Sequence, residues 1–288
     1  RAQIGRAEFG GRNFGGIELD AELDSQRLSG RISDRDEALR LLLSVSGTLT
    51  EREQRIGLSG SVFGFDLAAL GVSPEPISGS FALDASASAA GKGAYAARIA
   101  LDSIEIRNKH RTDRIRPTSV SLHTDSAATR AEAASGDLSL TFSTPQSADS
   151  LIAALTRSAR TLAEQIDAQS IDMEQLKPAL PDFALRVSAG PDNILNSLLK
   201  SRKIAFDALN AEGANCDSLP VSIRLRTEGL AYGNVVLDTV TADIRQNGKR
   251  LEYALGLANA PGNLDNIARA GLYGHLVRHS DRQKDVAG

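Results

Sequence analysis

The chain is 288 residues long, enough for roughly two domains of about 150 residues or for one continuous all-β unit. Its 41% hydrophobic and 24% charged residues are those of a folded protein, and no apolar run approaches the roughly 18 residues that would span a bilayer as a helix. A net charge of −3 gives no basic footprint for nucleic acid, and 4% aromatics with no Trp weigh against sugar-stacking and base-stacking platforms and the aromatic girdles of membrane barrels.

In chain order, apolar and polar residues alternate at period two, the spacing that puts alternate side chains on one face of a strand. Strands are predicted at Ile17, Leu19, Ala21, Leu23; at Leu41, Leu43, Val45, Leu49; at Ile56, Leu58, Gly60, Val62; and at Ile77, Gly79, Phe81, Leu83. Ile99 and Leu101 with Ile104 and Ile106, then Val120 and Leu122, then Leu138, Leu140 and Phe142 continue the pattern. Short Ser/Gly/Asp/Asn stretches between them mean hairpins and meanders.

Helical spacing interrupts from Pro145 to about Ala168, where Leu151, Ile152, Leu155, Leu162 and Ile166 form a stripe behind a Thr144 cap. A shorter helix is predicted from Pro191, with Asp192 at its positive end, Ile194, Leu195, Leu198 and Leu199 buried, and Lys200, Arg202 and Lys203 at its negative end. Strand spacing resumes at Ile204, Phe206 and Ala208, and a hairpin joins Val240–Gln246 to Leu251–Leu257 through Asn247 and Gly248. The organisation is then a β section over 1–144, a helical insertion with an intervening strand over 145–203, and a second β section over 204–288.

Convergent chemistry is sparse. His275 and His279 would face one way on a helix but lie in strand spacing, and His110 and His123 stand alone among polar residues. Gly10, Gly11, Gly15 and Gly16 lack the Lys and the following helix of a phosphate loop. Cys216 excludes disulfides and multi-thiolate zinc sites, and its acidic neighbours are expected to raise its pKa and keep it inert. Arg107, Lys109, Arg111, Arg114 and Arg116 read as a solvated turn, with anionic lipid head groups as the other reading. No catalytic residue, metal ligand or cofactor is assigned, and the chain is not expected to be an enzyme or to bind nucleic acid.

At about 12 residues per strand with its turn, roughly 20 strands are expected, and so wide a sheet must close, split or bend. Few aromatics disfavour a membrane barrel, and the many Leu, Ala and Ser fit a packed sandwich poorly. The expected fold is mostly β, a long antiparallel sheet bent into an open hydrophobic trough with a short α-helical insertion. Its lining would be Leu41, Leu43, Val45, Ile56, Leu58, Val62, Ile77, Phe81, Leu83, Ile99 and Leu101. Leu151, Leu155, Leu162 and Ile166 of the long helix would pack on the groove or its open edge as a lid. The alternative is a structural or adhesive β-solenoid or sandwich with a filled core and no ligand.

Three stretches carry a resemblance. Phe65 to Val72 before a new strand, Phe183 to Val187 followed by Gly190, Pro191, Asp192, Asn193 and a short helix, and Leu257 to Asn263 resemble the TamB branch of the AsmA-like proteins. The likeness is one of texture along most of the chain. It implies a β-taco groove in the periplasm of a diderm bacterium, through which phospholipid acyl chains pass between the inner and outer membranes and which supports outer-membrane biogenesis and protein assembly. It also implies an N-terminal inner-membrane anchor and a C-terminal domain that meets an outer-membrane barrel partner. A start at Arg1 and an end at Gly288 read as an internal section lacking both.

Overall fold

The computed structural model describes residues 6–9, 12–15, 17–91, 93–109, 111–167, 172–216, 218–259 and 269–276. The chain is mostly β, antiparallel and not closed into a barrel, with three helices among the described residues. In order, the strands before the helices are β1 (Arg6–Phe9), β2 (Arg12–Gly15), β3 (Glu18–Asp24), β4 (Arg27–Arg35), β5 (Leu39–Leu49), β6 (Glu53–Asp66) and β7 (Ser78–Ala90). Then come β8 (Ala94–Arg107), β9 (Thr112–Ile115), β10 (Thr118–Thr124), β11 (Thr129–Ser135) and β12 (Leu138–Thr144). The remainder is α1 (Ala148–Asp167), α2 (Met173–Ala179), β13 (Phe183–Ala189), α3 (Ile194–Ser201), β14 (Ile204–Ala205), β15 (Ala208–Cys216), β16 (Leu219–Tyr232), β17 (Val235–Asn247), β18 (Arg250–Ala258) and β19 (Arg269–Leu276).

Two compact units divide the chain, one of residues 1–124, 132–136 and 192–197, the other of 125–131, 137–191 and 198–288. In the first, β3 to β8 form a meander, and the second edge of β8 pairs with β10 along residues 95–101 and with β9 along 104–107. In the second, β12, β13, β15, β16, β17, β18 and β19 run side by side, and β14 pairs with the far end of β16.

Local chemistry moves several boundaries. α1 begins at Ala148 rather than Pro145, because Ser147 and not Thr144 caps it: the Ser150 N–H donates to Ser147 Oγ at 3.3 Å and the Leu151 N–H to the Ser147 carbonyl at 2.8 Å. α3 begins after Asn193, whose Oδ1 accepts from the Asn196 N–H at 2.9 Å, while Asp192 pairs with Arg116 at 2.7 Å. The β17–β18 turn is Gly248–Lys249, since Asn247 already pairs with Arg250. Only Gly248 takes a positive φ there, and the Asn247 amide donates instead to Glu252 at 2.7 Å. α2, absent from the sequence reading, is capped by Asp172, whose side chain accepts from the Glu174 N–H.

Among the described residues one cluster of buried apolar side chains is small. Met173 and Leu176 of α2 pack on Val221 of β16, with Leu180 and Leu251 against them. α1 lies on α2, and Ser158 and Gln165 of its buried side reach the far and near ends of α2. The Ser158 hydroxyl donates to the carbonyl of Ala179 at 2.6 Å; the Gln165 side chain exchanges two hydrogen bonds with the backbone of Asp172.

Candidate functional site

Register places the expected lining residues side by side. Directly opposed residues share a face of the sheet. One row across the first unit is Leu19, Ile32, Leu43, Gly60, Leu83, Leu101; the next is Ala21, Gly30, Val45, Leu58, Ala85, Ile99, Val120; the third is Leu23, Leu28, Gly47, Ile56, Ala87, Ala97, Leu122. Leu41, Val62 and Phe81 make a fourth on the same face. Ile77 precedes β7, half-buried, with its carbonyl accepting from the Leu67 N–H at 2.8 Å. All the expected lining residues except Ile77 therefore lie on one surface.

That surface is graded along the strands. Leu43 and Val62 are 6% exposed, Ile104 5% and Ile115 7%, whereas Ile56, Ile99 and Val120 are 45–46% exposed. The well-covered end coincides with a line of irregularities: register shifts at Arg40/Leu41, Val62/Phe65 and Ser80/Ala82, and Ser103 of β8 at φ 50°. The extra residues fall on two strands, β6 around Phe63 and β8 around Ser103, at one level of the sheet, and each bulge bends its strand. The apolar face continues through them, with Phe65 against Phe81 at a ring separation of 6.0 Å and Ile104 opposite Ile115. Closely covered at the bend and open toward the other strand ends, this face is a one-sided apolar surface.

The second unit repeats the design with other residues. Leu140, Val187, Ala211, Leu225, Ala242 and Leu255 form one row, and Phe142, Leu185, Gly213, Ile223, Ile244 and Tyr253 the next. Phe142 and Phe183 stack at 6.4 Å, and Ile223 and Leu255 are exposed. α2 closes one end, against Val221 and Leu251.

The opposite faces are polar. In the first unit they carry Ser44, Ser46, Ser59, Ser86, Arg31 and Arg98, and a concavity there is lined by Asp20, Glu22, Ser29, Gly30, Arg31 and Ser44. In the second, Arg186 pairs with Glu212 at 3.2 Å and Arg224 approaches Asp243 at 3.8 Å, a cross-strand charge ladder facing away from the apolar rows.

The lid helix is corrected. Leu155 is 51% exposed and Ile166 59%, Leu162 is exposed and Leu151 half-buried, so the stripe lies on no groove. The buried side of α1 is the small and polar one, Ala154, Ser158 and Gln165, where Ser158 bonds the Ala179 carbonyl and Gln165 the backbone of Asp172. α2 meets the sheet instead, through Met173 and Leu176 on Val221.

Cys216 is corrected too: the Ser218 hydroxyl, 3.4 Å away, outweighs the raising effects of desolvation and Asp182 and lowers the thiol pKa from 9.0. In the basic run, Arg107 and Arg111 are paired, to Glu105 at 2.6 Å and Asp113 at 2.7 Å, in keeping with a solvated turn. His123 is exposed on β10 and His275 lies in β19; His110 and His279 lie outside the described residues. Among the described residues no group of three His, Cys, Asp or Glu is placed to hold a metal ion, and no helix is long and apolar enough to cross a membrane. Comparison with protein-family models, with curated proteins and with solved structures gives no match.

Proposed function

We infer that the chain is a section of a hydrophobic groove that shields phospholipid acyl chains. The observation that carries this reading is the apolar face that runs from strand to strand in each unit and leaves Ile56, Ile99, Val120, Ile223 and Leu255 exposed. Contiguous exposed apolar surface of this kind is costly in water unless a ligand or partner covers it. Each methylene removed from water gains about 0.8 kcal/mol, so a sixteen-carbon chain gains on the order of 10 kcal/mol without a single directed contact. The polar residues on the other face suit an aqueous compartment, and lipid head groups would lie where the apolar rows meet them.

The resemblance to TamB-like proteins supplies the setting for this proposal. It is the periplasm of a diderm bacterium, with phospholipid moving between inner and outer membranes in support of outer-membrane biogenesis. The inner-membrane anchor and the outer-membrane barrel partner would be engaged by other parts of a longer protein. The role is carriage, not catalysis. A structural or adhesive β-protein with a filled core is the competing reading, and the exposure of Ile56, Ile99, Val120 and Leu122 counts against it.

Lipid extraction followed by mass spectrometry of the purified chain tests the proposal. Phospholipid at about one molecule per chain is expected. A chain that is folded by circular dichroism and carries no lipid, before or after incubation with phospholipid vesicles, overturns the groove and leaves the filled core.

A further inference from the structure

At the end of α3 the backbone turns sharply into β14, and the tip of the β16–β17 hairpin lies beside that turn. The Arg202 N–H donates to the Leu199 carbonyl at 2.8 Å and the Lys203 N–H to the Lys200 carbonyl at 3.1 Å, closing the helix. The Gly233 N–H of the hairpin tip then donates to the Lys203 carbonyl at 2.9 Å, and Ile204 pairs with Tyr232. Three cations are thus gathered beside a hairpin tip whose ends are Tyr232 and Val235.

Two properties set this place apart. Tyr232 is 68% exposed, Val235 44% and Val236 40%, an aromatic and two aliphatic side chains held out into solvent at a hairpin tip. Lys200, Arg202 and Lys203 are exposed and make no ion pair among the described residues, whereas Arg186, Arg224, Arg226 and Arg245 of the same unit's strands each meet a carboxylate. Along the paired strands Asp238 lies about 10 Å back from the tip and Glu228 about 13 Å at the strand rise, and Asp207 follows β14. Asp207 lies against Gly229, and Glu228 is held by Arg226 at 2.9 Å. Lys203 also sits at φ 59°, the left-handed helix-ending conformation that glycine takes freely and lysine does not. A charged side chain is kept where the backbone favours none.

We propose that this corner, Lys200, Arg202 and Lys203 around the Tyr232–Val236 hairpin end, docks the chain on an anionic phospholipid bilayer. The cations match the lipid phosphates, each contributing as juxtamembrane Lys and Arg do near a negative surface. Tyr232 has the apolar ring and polar tip that settle at the head-group level, and Val235 and Val236 enter just below it. The contact is electrostatic and reversible, because one short apolar tip is too small to insert permanently. It rests on different residues from the acyl-chain groove and does not require that reading.

The chain contains no Trp, so Tyr232→Trp installs a single fluorescent reporter at the proposed contact. With vesicles of phosphatidylcholine doped with phosphatidylglycerol, its emission is expected to shift to the blue, the shift reversing as salt is raised. Adding Lys200→Glu, Arg202→Glu and Lys203→Glu together should weaken vesicle binding at least a hundredfold, with the circular dichroism of the folded chain retained because all three are exposed. The matching Gln variants should fall between.

No blue shift with the anionic vesicles overturns the proposal. So does an equal shift with phosphatidylcholine alone, or full binding by the charge-reversed chain. Vesicle binding that is lost instead in Ile56→Arg, on the apolar face of the first unit, would transfer the contact to the groove and overturn the corner as its site. A chain that carries no extractable lipid yet shows the salt-sensitive shift retires the groove and keeps the corner.

Discussion

Gly60 leaves a gap in the apolar row between Leu43 and Leu83, and the backbone explains why no larger residue stands there. A Cβ at this position would lie 2.2 Å from the Leu42 carbonyl oxygen and 2.9 Å from the Leu43 Cα, at a φ of 152°. Gly60→Val should therefore cost about 1–3 kcal/mol, the usual size of a strained backbone position, and lower the melting midpoint. An unchanged melt would mean that β5 and β6 can shift apart at no cost. The irregularities at this end of the unit were partly legible at the residue scale. Alternation steps by three instead of two from Val62 to Phe65 and from Leu101 to Ile104, and both steps fall at bulges. Only the register shows that they stand at one level on β6 and β8, either side of β7, and pairing register is not written in any single strand.

Among the elements, strands were read well and helices less so, for a reason visible in α1. Its apolar stripe marked it as a helix, but the stripe did not say which side would be buried. Burial followed hydrogen bonding instead, through Ser158 and Gln165. α2 escaped notice because seven residues with Pro178 among them offer only Met173 and Leu176 as a repeat, too little to separate from a loop. The consequence is testable in one comparison. Gln165→Leu leaves the Asp172 N–H and carbonyl without their side-chain partner in a buried place and should destabilise the α1–α2 pair by about 1–3 kcal/mol, read as faster proteolysis between the helices. Leu155→Ser, on the exposed stripe, should change stability by no more than about 0.5 kcal/mol. The reverse order of effects would restore the stripe as the packed side of α1.

At the scale of the whole molecule, each unit pairs a continuous apolar face with a polar one, and in the first unit the apolar face is graded from closely covered to open. That gradient separates residues that hold the fold from residues that would meet a ligand. Leu43, at 6% exposure beside the line of bulges, is core: Leu43→Arg forces a charge into a covered position, should cost about 3 kcal/mol or more, and should unfold a marginal unit. Ile56 lies on the same face at 45% exposure, where an arginine stem can lie on its neighbours with its head in water, so Ile56→Arg should melt within about 1 kcal/mol of the parent. If the open end receives acyl chains, Ile56→Arg should nevertheless lose most of the lipid that co-purifies, because the guanidinium must be desolvated when a chain occupies the row. Ser46→Arg, on the polar face of the same sheet, should alter neither property. Thermal melting together with quantified lipid extraction reads all three substitutions. The groove requires lipid loss in Ile56→Arg with the fold kept, whereas a filled core requires Ile56→Arg to unfold as Leu43→Arg does.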